Sequence, residues 1–338
     1  MESIKKILRP IYIPILSSNF VKNILLLTNT FEDFLLYRKY SLTFTTKNLK
    51  NKEADLILNY HSLEKGMLFK EMKAGFAAVR IKNLHKILND PEIMENINRS
   101  QIKVGYQVMC QYYELHQEAN FNIEHIYSLE QYKKYKNLLK DHYDSKFNGI
   151  IDWKKEKYYK NINSNFYDFA HSRKSVREFT GQRISHELLN KVIKLANTAP
   201  SVCNRQSNNV YLIEDKAKID RILKIQGGFT GYTKDVSQLL ILTNDRNYYY
   251  TVGERNQFYV DGGIYLMNLL YALHFYKIGN CPANWGKLIS DEKTLSMVID
   301  LPSSEKIICM IPIGELKEGF RTTLSERRPT VENFIVKN

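Results

Sequence analysis

Apolar positions recur every three or four residues through the first half of the chain and give way to short unbroken apolar runs in the second. In EADLILNYHSLEKGM (53–67), Leu56, Ile57, Tyr60, Leu63 and Glu64 fall at helical spacing, and Gly66 is a natural stop. GFAAVRIKNLHKIL (75–88) repeats the pattern through Phe76, Val79, Leu84 and Leu88, and QIKVGYQVMCQYYELH (101–116) through Val104, Val108, Tyr112 and Leu115. Residues 127–165 are dense in Tyr, Lys and Asn and read as a charged helix followed by a connecting segment. Beyond residue 166 the period changes. NVYLIE (209–214), SQLLILTN (237–244) and KIICMIPIGEL (306–316) read as strands, while SHELLNKVIKLAN (185–197) is an amphipathic helix with Ser185 as its N-cap. A longer helix over about 254–277, with Val260, Ile264, Met267, Leu270, Tyr271 and His274 at three-or-four spacing, is apolar on much of its circumference and reads as a buried spine. The pattern predicts an α+β fold: a mixed sheet flanked by helices, preceded by a mostly helical region.

At 338 residues the chain is long enough for two units. The change of period divides it into a helical N-terminal extension, 1–165, and a second domain, 166–338. A hydrophobic share of 43% with 25% charged residues excludes wholesale disorder. The 49 Lys and Arg against 36 Asp and Glu leave a net charge of +13. The cations are spread along the chain without an arginine-rich run, which favours a solvated Lys-rich surface over a nucleic-acid partner. Cys110, Cys203, Cys281 and Cys309 lie far apart with no C-x-x-C pair, which argues against a metal site or a disulfide framework and suits a reducing cytoplasm. The start, MESIKKILRPIYIPILSSNF, is basic and broken by Pro10 and Pro14, so neither a signal peptide nor a transmembrane segment is expected. A peripheral membrane contact by residues 1–30 stays open, with packing onto the body of the protein as the favoured reading.

Four segments of the second half carry candidate chemistry. HSRKSVREF (171–179) sets Arg173, Ser175 and Arg177 at alternate positions; in an extended segment all three line one side, which suits an anion there. APSVCNRQSNNVYLI (199–213) is a polar loop entering a strand, VDGGIYLMNLLYALHFYKIGNCPANWG (260–286) is the spine helix with a Gly-containing exit, and LSERRPTVENFI (324–335) holds two arginines before a proline. In this order the four segments resemble the FMN-dependent nitroreductase family over roughly 165–335.

The resemblance implies FMN as cofactor, NAD(P)H as electron donor, a ping-pong transfer of hydride to an organic acceptor, and a homodimer with its sites at the subunit interface. It assigns the FMN phosphate to Arg173, Ser175 and Arg327, with Arg328 helping. Arg177 falls at the pyrimidine edge, Asn204 and Gln206 at the ring, and a backbone N–H near Asn284 or Trp285 opposite flavin N5. No side chain is assigned an acid or base role. The sequence departs from the family pattern at Ser207 and Asn208, where proline and tryptophan are common, at Ser325, where a second cation is usual, and in GNCPANWG (279–286). The acceptor is therefore open, and the alternatives are different flavin chemistry on the same fold (dehydrogenation or dehalogenation) or a non-catalytic module for an anionic partner. Each residue also has an ordinary reading: solvated cations at 173–177 and 327–328, a turn at Asn204, and a buried structural thiol at Cys281. His61 and Glu64, one helical turn apart, are either an acid–base pair or a local cap, and the cap is favoured.

Overall fold

The computed structural model describes residues 18–337, so the reading of the N-terminal stretch up to residue 17 lies outside the described residues. The chain forms two compact units. One comprises Thr30–Ile151 with the segment from Thr323 onward, and the other comprises Asp152–Thr322 with the described residues up to Asn29. The first described helix, α1 (Asn19–Tyr40), buries no residue. No described helix is long and apolar enough to cross a membrane.

The helical unit is built on α2 (Leu49–Met67), α3 (Ala78–Leu88), the short α4 (Pro91–Glu95), α5 (Ser100–Glu118) and α6 (Leu129–Leu139). Asn48 caps α2 by accepting from the Asn51 N–H at 2.9 Å, and Ser128 and Gln131 form a reciprocal capping box on α6. The expected stripe on α2 holds at Leu56, Tyr60, Leu63 and Glu64, which are all buried, while Ile57 is only half-buried. On α3 it holds at Leu84 and Leu88 but fails at Val79, which is exposed while Ile81 takes the inward position. Tyrosines fill much of this core, with Tyr106, Tyr112, Tyr127 and Tyr135 fully buried. α2 and α5 approach closely at Gly105, where a Cβ would come within 2.9 Å of Leu56 Cδ1.

In the other unit a five-stranded sheet runs β2 (Asn208–Ile213), β3 (Gln238–Asp245), β6 (Glu305–Gly314), β4 (Gly279–Asn280), with β5 (Ala283–Asn284) also on β6. Every one of these pairings is antiparallel. β3 is buried from Gln238 to Asn244 and alternates between two cores. Leu239 and Ile241 pack with Ile219, Ile222 and Leu223 of α10 (Lys216–Gln226) and with Phe179; Leu240 and Leu242 pack with α9 (His186–Ala196) and α11 (Gln257–Phe275). Ser185 caps α9 as expected, accepting from the Leu188 N–H. Helices thus cover both faces of the sheet, the α+β arrangement expected. A separate ribbon pairs β1 (Ile150–Lys154) with β7 (Gly319–Thr323), and near it lie the short α7 (Lys155–Tyr158) and α8 (Phe166–Ser172).

The spine helix is where the pattern misled. Leu270 and His274 of the expected stripe face inward, together with Phe258, Asp261, Tyr265, Leu269 and Leu273, whereas Val260, Ile264 and Met267 are 52%, 41% and 37% exposed. A helix apolar on most sides offers two stripes, and periodicity does not say which one the sheet takes.

Replacing Ile241 with Ala empties a fully buried position on the central strand and is expected to cost about 2–5 kcal/mol. Chemical denaturation should show an earlier midpoint at unchanged slope; a loss under about 1 kcal/mol contradicts the central place of β3.

Candidate functional site

The segment after α8 leaves the helix at Arg173, whose φ of −67° and ψ of 123° are extended. It stays extended because it lies along the sheet: Val176 N–H donates to Asn280 O and Thr180 N–H to Glu315 O, both at 2.9 Å, and Phe179 bridges to Leu316. Gly279 allows this approach, since a Cβ there would meet Leu316 Cδ2 at 2.0 Å. Arg173, Ser175 and Arg177 thus follow one another on a segment that runs alongside the sheet, where Val176 and Phe179 enter the same core.

Arg177 is only 9% exposed, and its Nε and Nη1 are buried with no hydrogen-bond partner among the described residues. Its charge acts on the Tyr232 hydroxyl, which burial raises and Arg177 opposes. Arg173 lies by the C-terminal end of α11. Its neighbour Ser172 has its Oγ 2.7 Å from Nε2 of the fully buried His274. Burial, and secondarily the Arg173 charge, hold the His274 imidazole down to about 4, so it is neutral at physiological pH. Beyond the same helix end come β4 and β5. Cys281 is buried, as the structural reading had it, and Trp285 packs its ring into the core and donates to Glu292 at 3.4 Å. Asn284 is exposed, and its carbonyl accepts from Gln226 Nε2 at 2.9 Å.

The loop 201–206 stands at the other end of α11. Cys203, Asn204 and Gln206 all have positive φ (50°, 56° and 51°), a conformation costing on the order of 1–3 kcal/mol per non-glycine residue. The loop is held by its surroundings. Gln206 N–H donates to Ser201 Oγ at 2.9 Å, Gln206 Nε2 donates to Asn204 O at 3.2 Å, and Val202 N–H points at both carboxylate oxygens of the buried Asp261 at 3.3 and 3.4 Å. Arg205 is spent on the same task, paired with Glu254 at 2.7 Å and lying over the Tyr249 and Tyr250 rings. The Asn204 side chain is exposed.

Asp261 and His274 are thirteen residues apart on one helix, hence about 20 Å. The candidate residues of this unit thus form two clusters: Arg173, Ser175 and Arg177 on the segment that starts at the C-terminal end of α11, and Asn204 with Gln206 at its N-terminal end. Asn284 and Trp285 stand apart from the first, since Asn284 pairs with Cys309, five residues along β6 from the Gly314 that faces β4.

Arg327 and Arg328 belong to the helical unit. Arg327 is exposed and donates to Ser325 O at 2.7 Å. Arg328 is committed: it pairs with Glu53 at 3.0 Å and Glu332 at 3.1 Å, while Arg99 grips the same Glu53 at 2.8 Å and Ser100 donates to Glu332 through both N–H and Oγ. Burial pushes the Glu53 carboxyl up, but the two guanidinium groups outweigh it and hold it below the usual range. Sequence reasoning missed Glu53, whose only signal was a carboxylate on the inner face of α2. His61 Nδ1 and Glu64 Oε2 are 2.9 Å apart, a pair within one helix turn; Glu64 is fully buried and its Oε1 has no partner among the described residues. No group of His, Cys, Asp and Glu that could hold a metal ion stands together among the described residues.

Residues 170–230 match the Nitroreductase family model. That stretch of the chain is nitroreductase-like. That span holds the extended cationic segment and the strained loop together. No curated protein matches the chain. Among solved structures, a nitroreductase-like protein from Streptococcus mutans is 19% identical over 52% of this chain and 100% of its own, with a TM-score of 0.45. A protein assigned as a nitroreductase from Desulfovibrio desulfuricans, crystallised with FMN, is 21% identical over 52% of this chain and 98% of its own, at 0.43. One assigned as an NADH oxidase from Clostridium acetobutylicum is 20% identical over 49% and 97%, also at 0.43.

Glu53→Gln should destabilise the protein at neutral pH by about 1.5–3 kcal/mol, toward the lower figure because both arginines are about one-third exposed. The sign follows from a carboxyl held below its unfolded value: the stabilisation is present above the ordinary carboxylate range and is lost as pH falls through the folded value. Melting temperatures of the two proteins should therefore converge on acidification. A gap that persists or widens there contradicts the clasp.

Proposed function

We propose that the nitroreductase-like unit binds FMN and acts as an NAD(P)H-dependent oxidoreductase on an organic acceptor, as a homodimer. The observation that carries this reading is Arg177, a guanidinium buried with two nitrogens unpartnered among the described residues. A buried charge without a partner costs several kcal/mol, which an anionic or carbonyl-rich ligand would recover. FMN has both kinds of acceptor, so the residues present fit the group. Arg173 and Ser175, on the same extended run, would hold the phosphate; Arg177 would meet the pyrimidine edge; Asn204 and Gln206 would bond the ring, and the backbone at Asn284 and Trp285 would lie opposite its reactive nitrogen. The bound flavin would carry a hydride from NAD(P)H to the acceptor in two half-reactions. The chain's own contribution is to bind, to orient and to keep a fixed positive charge beside the ring, which needs no side-chain acid or base. Arg327 and Arg328 are left out of this reading, since Arg328 is engaged by Glu53 and Glu332.

The homodimer is supported by the same geometry. The two clusters stand about 20 Å apart along α11 in one chain, too far for a single flavin ring to bridge. Between them runs the exposed apolar stripe of Val260, Ile264 and Met267. A two-fold pairing through that stripe would bring the strained loop of one copy to the cationic segment of the other.

The purified protein should be yellow, or turn so on titration with FMN; persistent absence of bound flavin sinks the reading. Arg177→Ala should weaken FMN binding by about tenfold to a hundredfold, the equivalent of losing one or two charge-assisted hydrogen bonds. Val260→Glu should yield a folded monomer in sedimentation that has lost FMN. A flavin-loaded monomer would contradict the dimer.

A further inference from the structure

The helical unit has a cleft of its own, of about 820 Å³, within the range of small-molecule sites. Its lining comes from α5, from the turn before β1 and from the C-terminal segment, and is divided by chemistry. Val104, Phe147, Ile150, Leu324 and Pro329 supply apolar surface. Lys103, Lys146 and Arg327 supply positive charge, and none of the three has an acidic partner among the described residues. Two carboxylates also line the cleft. That of Asp144 is occupied by the Lys146 N–H of its own turn at 2.8 Å, and Glu326 is exposed. Gln107, 6% exposed, sits among these groups. Its Nε2 donates to His142 O at 3.3 Å, while its Oε1 is shielded from solvent and receives no donor.

An acceptor left in that state costs about 1–3 kcal/mol, and the cations lining the cleft do not reach it. A ligand that satisfies the cations, the apolar surface and this acceptor has an anionic group, an apolar body and an N–H or O–H. We propose that this cleft is a binding site for an amphipathic organic anion carrying a hydrogen-bond donor, with the anion on Lys103, Lys146 and Arg327 and the donor on Gln107 Oε1. The inference is independent of the flavin reading, because no residue of the proposed FMN site enters it.

The probe is 8-anilinonaphthalene-1-sulfonate, which combines an aryl body, a sulfonate and a secondary amine N–H; the uncharged comparison is N-phenyl-1-naphthylamine. Fluorescence titration of the full-length protein should show one saturable site. Lys103→Glu and Lys146→Glu should each weaken the sulfonate by about tenfold while leaving the neutral amine unchanged, as expected of a charge contact worth roughly 1.4 kcal/mol. Gln107→Leu should weaken both probes. Because Lys146 is exposed, its variant tests the charge without disturbing the core, and circular dichroism checks the other two. The proposal is overturned by any of three results: no saturable binding, sulfonate affinity unchanged in both charge reversals, or stoichiometric displacement of the probe by FMN.

Discussion

A guanidinium with two of its nitrogens buried and unmatched is a state that a folded protein sustains only where something else compensates. Arg177 is in that state because the chain on either side of it is fixed. Val176 and Phe179 are buried in the sheet's core, Val176 N–H is bonded to Asn280, and Thr180 N–H to Glu315. The features of the unit that bear on function follow from where this anchored segment lies relative to α11: Arg173 beside His274, and β4 just beyond.

The second fixed element is the strained loop at the opposite end of that helix. Left-handed backbone at Cys203, Asn204 and Gln206 persists because Asp261, Glu254 and Ser201 bind the loop on several sides. Backbone strain held so firmly is characteristic of sites that must present a group in one geometry. α11 therefore serves as a ruler. Its inner face fixes the sheet, its two ends carry the two clusters, and its outer face carries unpartnered apolar side chains between them.

Much of the fold was legible from periodicity, since it depends on the ratio of apolar to polar positions over one or two helical turns. The three long strands, α2, α5, α9 and the Ser185 cap lie where the pattern put them. The short strands did not appear, because two residues at β4 or β5 carry no period, and part of the α11 stripe (Val260, Ile264 and Met267) was assigned to the wrong side for want of a polar face. At the candidate site, Arg173, Ser175, Arg177, Asn204 and Gln206 could be singled out because their residue types and spacings are local. Their separation into two clusters was not legible, for it depends on the length of a helix that comes fifty residues later. Nor was the engagement of Arg328: an arginine near the C-terminus gives no sign that a carboxylate 275 residues upstream holds it.

The central claim is that a complete site draws its two clusters from two chains, and a mixing experiment tests it most directly. Arg177→Ala and Asn204→Ala homodimers should each bind FMN poorly, every site being defective. If the clusters meet across the dimer, mixing and re-equilibrating the two variants should restore tight binding in about one site in four, since half the dimers are mixed and each mixed dimer has one site intact. If a single chain supplies both clusters, every site still carries one defect, and mixing would restore nothing.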